Sequence, residues 1–159
     1  MKKLRVGLFS FTCDEGCSIV FLEILNDTFF RWKDSIDIVY SRVLKTKNDM
    51  KNLDIAFVEG CISGTKEAEK LKEIRNNTKK LVAIGSCAIT GAPSNIRNFF
   101  DKDRLKEIEP ILKKFNYREN ISPLSEIVKV DESVPGCPMD EKKFIEVVEK
   151  HIKELKESD

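Results

Sequence analysis

Residues 4–17 read LRVGLFSFTCDEGC, and the rest of the chain is arranged around this stretch. Its first half, Leu4 to Ser10, is a short apolar run of the kind that forms a buried strand. Its second half carries Cys13 and Cys17, separated by three residues, in a loop. From Cys17 onward the chain is apolar on most helical faces. The stretch therefore predicts a strand, a cysteine-bearing loop and a well-buried helix.

Four further apolar runs predict strands, and segments of helical pattern alternate with them. The predicted strands are 35–40, 53–58, 80–84 and 126–130, and the predicted helices are 65–77, about 96–101, 104–115 and 140–155. Thr65 and Asp140 are expected to cap their helices, and Pro110 is expected near a break. This alternation predicts a three-layer α/β sandwich with a mostly parallel five-stranded sheet. A chain of 159 residues, 41% of them hydrophobic, is expected to form one domain over residues 1–159.

Each of the other three cysteines also follows a predicted strand. They are Cys61, Cys87 and Cys137. Because the carboxyl ends of parallel strands lie along one edge of a sheet, cysteines distant in sequence are expected to become neighbours there. A glycine stands within two residues of each cysteine loop: Gly16, Gly60, Gly85 and Gly136. Glycine lets the backbone approach a bulky inorganic group, so the pattern indicates one iron–sulfur site.

Other uses of these cysteines fit the pattern less well. An odd number of cysteines without a sign of secretion argues against a disulfide framework. Structural zinc favours two close pairs and a thioredoxin-type motif is C-x-x-C, whereas this chain has one C-x-x-x-C pair. The only histidine, His151, is expected to be a half-buried packing residue and not a catalytic base. Asp14 and Glu15 would repel a phosphate group, and inert buried thiols remain the plain alternative.

The composition and charge of the chain argue against several broad classes of protein. The net charge of +1 offers no electrostatic surface for nucleic acid or an anionic membrane. No apolar run approaches the roughly 20 residues of a membrane-spanning helix. Asp14 and Glu15 interrupt any signal-peptide pattern after the basic N-terminus. A cytoplasmic protein with reduced thiols is therefore expected.

The cysteine motifs occur in a specific order along the chain. They are Cys13…Gly16-Cys17, Val58-Glu59-Gly60-x-Ile62, Ile84-Gly85-Ser86-Cys87-Ala88 and Val134-Pro135-Gly136-Cys137-Pro138. In this order they resemble the small, electron-transferring subunit of nickel–iron hydrogenases and the related 20 kDa subunit of respiratory complex I. That resemblance implies a flavodoxin-like domain with one proximal [4Fe-4S] cluster beside a large subunit.

The same resemblance implies the roles of individual residues. The cluster ligands would be Cys13, Cys17, Cys87 and Cys137, and the glycines around the cluster would be Gly16, Gly85 and Gly136. Glu59 matches a glutamate near this cluster, which either helps proton movement or holds its loop.

Three positions depart from the family pattern. The usual first pair is C-x-x-C, so the longer spacing here places the doubt on Cys13. Cys61 stands where the family has a small residue, and it is either a nearby free thiol or a replacement for Cys13 as ligand. Ser18 follows Cys17 where complex I relatives carry a second cysteine, which favours the hydrogenase side.

The resemblance also implies a function and partners. The chain would be an oxidoreductase subunit that is active only with its hydrogenase large subunit and passes electrons to a diaphorase or ferredoxin-type partner. No cysteines for further clusters and no twin-arginine leader are present, as expected for the short cytoplasmic type. The first helix and the cysteine edge would contact the large subunit. Phe99 and Phe100 are expected in the core, and the alternative is that they join this contact. The alternative is a redox-sensing or scaffold module without hydrogenase activity.

Overall fold

The structure is a computed structural model that describes residues 2–157. Seven strands are numbered in chain order: β1 (Leu4–Ser10), β2 (Ile36–Ser41), β3 (Leu53–Glu59), β4 (Ile62–Gly64), β5 (Thr78–Ile84), β6 (Tyr117–Ser122) and β7 (Glu132–Val134). Five helices accompany them: α1 (Gly16–Trp32), α2 (Thr65–Asn76), α3 (Gly85–Thr90), α4 (Lys102–Phe115) and α5 (Glu141–Glu157). Short 3₁₀ helices span Ile96–Phe99 and Leu124–Glu126.

The main sheet is parallel and has the order β2-β1-β3-β5-β7. Counted along the chain, its five strands have the order 2-1-3-4-5, which is the flavodoxin-like arrangement. The predicted three-layer sandwich with a five-stranded sheet is thus confirmed. Within residues 2–157, no helix has both the length and the apolar character needed to cross a membrane.

The sheet is enclosed by two apolar cores, one on each face. Phe21 of α1 and Phe144 of α5 pack with Phe57 on one face. Leu71 and Ile74 of α2 belong to the core on the other face. Every residue of β3 is buried, as expected for a strand covered on both sides by helices.

The helix ends follow the predicted signals in part. Asp140 Oδ1 accepts from the Lys143 N–H at 2.8 Å, so the predicted cap of α5 is confirmed. Thr65 is not the cap of α2; Gly64 precedes the helix, and Glu67 Oε2 accepts from its N–H at 3.1 Å. Pro110 lies inside α4 and does not break it. It is exposed, so water can reach the carbonyl group that loses its partner.

The last strand of the sheet is displaced from its predicted position. Residues 126–130 are expected to form it. Instead, the chain emerges from the 3₁₀ helix Leu124–Glu126, and Ile127 and Val128 pack beside the core that contains Leu71 and Ile74. The strand is β7, which begins only after the Asp131 N–H donates to Leu81 O at 2.9 Å. The prediction was wrong because apolar residues that lie beside a core resemble those of a short strand.

A small antiparallel pair, β4 and β6, was not predicted from the sequence pattern. Arg97 connects its two strands, since its Nη2 donates to Ser63 O at 3.2 Å and to Arg118 O at 2.7 Å. Phe99, on the adjoining 3₁₀ helix, is 78% exposed, so its expected core position is wrong. Phe100 is half-buried.

Replacing Asp131 by asparagine is expected to lower the free energy of unfolding by about 1.5–3 kcal/mol at neutral pH. The carboxylate of Asp131 accepts from the Leu81 N–H at 2.8 Å and pairs with Arg75. Asparagine keeps an acceptor for the N–H but removes the charge that Arg75 needs. Urea denaturation measures the difference, with Asp103→Asn, at a 97% exposed side chain, as the control.

The effect of this substitution should depend on pH. Burial alone would raise the pKa of the Asp131 carboxyl, but the Leu81 N–H and Arg75 together lower it below its ordinary value. A lowered pKa in the folded state adds stability above the unfolded pKa of about 3.9, and this contribution is lost as pH falls through the folded value. The wild type and Asp131→Asn should converge at acidic pH. An equal difference at neutral and acidic pH would contradict the assignment.

Candidate functional site

Four cysteine side chains meet at the carboxyl edge of the main sheet. They line one cavity with about 240 Å³ of space not filled by protein atoms: Cys13, Cys17, Cys87 and Cys137. They lie after β1, β5 and β7, whose carboxyl ends share this edge. The structure therefore places along one cavity the four cysteines that the resemblance implies as ligands. Among residues 2–157, no three histidine, cysteine or acidic side chains are arranged closely enough to hold a single metal ion.

Cys17 is the second residue of α1 and is almost fully buried. Burial raises the pKa of its thiol to about 11, while a hydrogen bond from the Met139 backbone acts in the opposite direction. Gly85 faces its sulfur: a Cβ at Gly85 would lie 2.4 Å from Cys17 Sγ, and the φ angle of Gly85 is +82°. No other residue fits at this position without moving the thiol. Gly16, also expected near the thiols, is the first residue of α1 and is not among the cavity-lining residues.

Cys13 lies in the loop between β1 and α1 and is partly exposed. Its sulfur accepts from the Glu15 N–H at 3.3 Å and lies 3.5 Å from Ser10 Oγ. Burial raises the pKa of this thiol as well. Glu15 has a left-handed backbone with φ of 61° immediately before α1. This turn lets the longer C-x-x-x-C loop place both of its sulfurs on the cavity.

Cys87 and Cys137 lie on two neighbouring segments, helix α3 and the loop after β7, which are hydrogen-bonded to each other. Cys87 lies on α3, and its sulfur is 3.4 Å from Ser94 Oγ. Cys137 is exposed and follows Gly136, whose carbonyl accepts from the Ser86 N–H at 2.7 Å and from Ser86 Oγ at 3.0 Å. Ser94 was missed in the sequence, because nothing in its seven-residue separation from Cys87 marks it as a neighbour.

Cys61 does not line the cavity, although it is near enough to Cys87 for that thiol to raise its pKa. It is 0% exposed, and its backbone pairs with Thr12 through hydrogen bonds of 2.9 and 3.1 Å. Its sulfur donates to Thr12 O at 3.2 Å. Burial raises the pKa of its thiol to about 11. Cys13 and Cys61 are the two candidates for the fourth ligand. Of these, Cys13 is therefore the one that lines the cavity.

Glu59 is a buried carboxylate at the end of β3, with 1% exposure, and it lines the same cavity. Its Oε2 accepts from the Ser18 N–H at 3.0 Å, and its Oε1 accepts from the Ser18 hydroxyl. Ser18 belongs to the first turn of α1, where free N–H groups attract negative charge. These contacts fix the start of α1, and with it Cys17, against the sheet.

His151 has no place at the cysteine site. It is buried on α5, with Nε2 2.9 Å from Glu132 Oε1 and Nδ1 2.9 Å from Glu154 Oε2. Glu132 begins β7, whereas the Cys137 loop leaves the other end of that strand. His151 is thus buried and not half-buried as expected, and it packs between Glu132 of β7 and Glu154 of α5.

The five thiols should differ strongly in their reactivity in metal-free protein. Iodoacetamide near neutral pH is expected to modify exposed Cys137 first and Cys13 next. Cys61 should react on the order of 100-fold more slowly than Cys137, because it is buried and its pKa of about 11 lies two units above the ordinary 9.0. Timed alkylation followed by peptide mass spectrometry gives the order. Labelling of Cys61 as fast as Cys137 would contradict the described placement.

Known proteins resemble this chain over most of its length. The sulfhydrogenase 2 subunit delta of Pyrococcus furiosus is 26% identical over 149 residues, which cover 91% of this chain and 60% of the relative. The NAD-reducing hydrogenase HoxS subunit delta of Cupriavidus necator is 26% identical over 156 residues, covering 87% of this chain and 73% of that subunit. The chain thus spans only about three fifths of the first of these relatives.

Solved structures show the same architecture. A chain of an NAD⁺-reducing [NiFe]-hydrogenase in the H2-reduced state superposes with a TM-score of 0.73 and 26% identity, covering 89% of this chain and 86% of that one. The Ni-Fe-Se hydrogenase of Desulfomicrobium baculatum shares the fold, with a TM-score of 0.63 at 15% identity.

A family model matches residues 13–151, a segment that includes all five cysteines. The matched family is described as NADH ubiquinone oxidoreductase, 20 Kd subunit. The family that the cysteine motifs resembled is thereby confirmed. The chain belongs to the NADH ubiquinone oxidoreductase 20 Kd subunit family.

Proposed function

We propose that this chain is the electron-transferring small subunit of a [NiFe]-hydrogenase-type oxidoreductase complex. The observation that carries the proposal is the set of four cysteines lining one cavity in a member of this family. The relatives reported above are themselves hydrogenase subunits. The resemblance to a chain of an NAD⁺-reducing [NiFe]-hydrogenase, at 26% identity and a TM-score of 0.73, supports the same proposal.

The residues at the cavity fit one [4Fe-4S] cluster. Four cysteine thiols are the donor set of such clusters, and the proposed ligands are Cys13, Cys17, Cys87 and Cys137. Gly85 leaves room beside Cys17, where any side chain would displace the sulfur. When bound, the cluster supplies one-electron oxidation and reduction.

The protein's own residues hold and shield this site. The raised pKa of Cys17 keeps its thiol protonated near neutral pH, so loading with iron must release a proton there. Glu59 keeps the first turn of α1 in place through Ser18. We assign Glu59 this holding role in preference to a role in proton movement, because both of its oxygens already accept from Ser18.

The proposed partners are a hydrogenase large subunit and a downstream diaphorase or ferredoxin-type protein. Cys137 is exposed at the cavity, so a bound cluster would need another surface to cover it. Helix α1 presents Ile19 at 58% and Phe30 at 82% exposure, which suits a face that a partner buries. We propose that this helix and the cysteine edge contact the large subunit, and that the complex works in the cytoplasm, where thiols stay reduced.

Single cysteine replacements should identify the ligands. Serine at position 13, 17, 87 or 137 is expected to reduce bound iron and sulfide by more than about half after anaerobic purification, because a thiolate ligand is lost. Cys61→Ser is the matched control and should retain full iron, since Cys61 lies outside the cavity. Iron and sulfide assays, with EPR after reduction, measure the outcome.

Two results of this series would overturn the ligand assignment. If Cys61→Ser lost the cluster and Cys13→Ser retained it, Cys61 would replace Cys13 as the proposed ligand. Wild-type protein that binds zinc alone and no sulfide would remove the electron-transfer function.

The partner proposal predicts an effect of charge on α1. Ile19→Glu is expected to reduce recovery of a co-expressed large subunit by about tenfold, because a charge would be buried at the contact. Ile111→Glu on α4 is the control, since Ile111 is 53% exposed on a different helix. Affinity purification of the co-expressed pair measures recovery. Wild-type protein that captures no large subunit would favour the alternative, a redox-sensing or scaffold module.

A further inference from the structure

Ser94 occupies a position between two thiols of different character. Its hydroxyl lies 3.4 Å from Cys87 Sγ, and it also acts on Cys61, since burial raises the pKa of that thiol and hydrogen bonding to Ser94 lowers it by a smaller amount. Cys87 lines the cavity, whereas Cys61 does not. One side chain therefore connects a proposed cluster ligand with the thiol that the cluster does not use.

A tight turn after α3 brings Ser94 back over this helix. The Gly91 N–H donates to Cys87 O, and the Asn95 N–H donates to Gly91 O, each at 2.9 Å. Gly91 has a φ of +81°, and a Cβ there would meet the Asn95 side chain at 3.2 Å. The turn is thus held on both sides of Ser94, which gives its hydroxyl a defined place beside the sulfur.

The direction of the hydrogen bond follows from the chemistry of the two sulfurs. A thiolate bound to iron can only accept, so Ser94 must be the donor toward Cys87. Cys61 donates its own proton to Thr12 O and is a neutral thiol, which is a weak acceptor. The single hydroxyl proton of Ser94 therefore goes to Cys87 when that residue is a thiolate.

Ser10 provides a comparison within the same site. Its hydroxyl lies 3.5 Å from Cys13 Sγ, but also 3.5 Å from Glu15 Oε1. A carboxylate competes strongly for a hydroxyl proton, so the hydroxyl of Ser10 is shared between Cys13 and Glu15. In the described part of the chain, Ser94 has no contact with a carboxylate and is the more effective donor.

We propose that Ser94 is a positioning residue that raises the reduction potential of the site by donating a hydrogen bond to the Cys87 thiolate. This inference rests on the proposed cluster. A hydrogen bond to a ligand sulfur stabilises the more electron-rich, reduced form, so its presence favours uptake of an electron.

The potential of variants at position 94 tests this role. Ser94→Ala should retain the cluster and shift the oxidised-to-reduced ratio at a fixed potential about tenfold toward the oxidised form, or about 59 mV for a one-electron couple. Ser94→Thr should restore the wild-type value because it keeps the hydroxyl. Thr90→Ala is the control for the turn itself, since the Thr90 hydroxyl donates to Ser86 O and accepts from the Ala92 N–H and so holds the same turn without bonding to a sulfur. EPR-monitored redox titration gives each midpoint.

The outcomes separate this inference from the proposed function. If the wild-type protein holds a cluster and Ser94→Ala has the same potential as the wild type, the role of Ser94 is overturned. The electron-transfer function would remain intact. A wild-type protein without any cluster would overturn both. If Ser94→Ala lost iron, Ser94→Val and Ser94→Thr would provide the comparison, because they match in shape and differ in the hydroxyl; equal potentials in that pair would also overturn the inference.

Discussion

Parallel pairing of β1, β3, β5 and β7 is the constraint on which the site depends. Parallel strands end at the same edge, so residues more than a hundred positions apart in the chain become neighbours there. The pairing itself is stabilised by the burial of all of β3 and of residues 81–84 of β5 between two apolar cores. The order and pairing of the strands therefore decide which sulfurs can come together.

The sequence allowed the architecture and most of the site to be predicted. Strand–helix alternation predicted the sandwich, and the position of each cysteine after a strand predicted that the thiols would converge. The exact strand at the sheet edge was missed, because Ile127 and Val128 satisfy the apolar pattern of a strand while packing beside a core. Arg97 and the small sheet that it supports depend on carbonyl groups distant in sequence, which no local pattern reveals.

The sequence alone also could not show whether Cys13 or Cys61 lines the cavity. Both follow a strand, and the longer spacing of the first motif placed the doubt on Cys13. In the structure Cys13 lines the cavity and Cys61 does not, because the left-handed turn at Glu15 accommodates the extra residue and Cys61 pairs with Thr12. A side chain's direction at the end of a strand depends on a pairing partner, and the partner here is 49 positions away.

The shortness of β7 has a consequence for how the site becomes filled. This strand lies at the edge of the sheet and pairs with β5 through only three residues. It leads directly into the loop of Cys137, the most accessible of the five thiols. Local opening in proteins concentrates where few pairings hold an element, and an edge strand of this length lies at that end of the scale. The proposed cluster would therefore enter most easily on the β7 side, where Cys137 is exposed, whereas Cys17 is buried in the core.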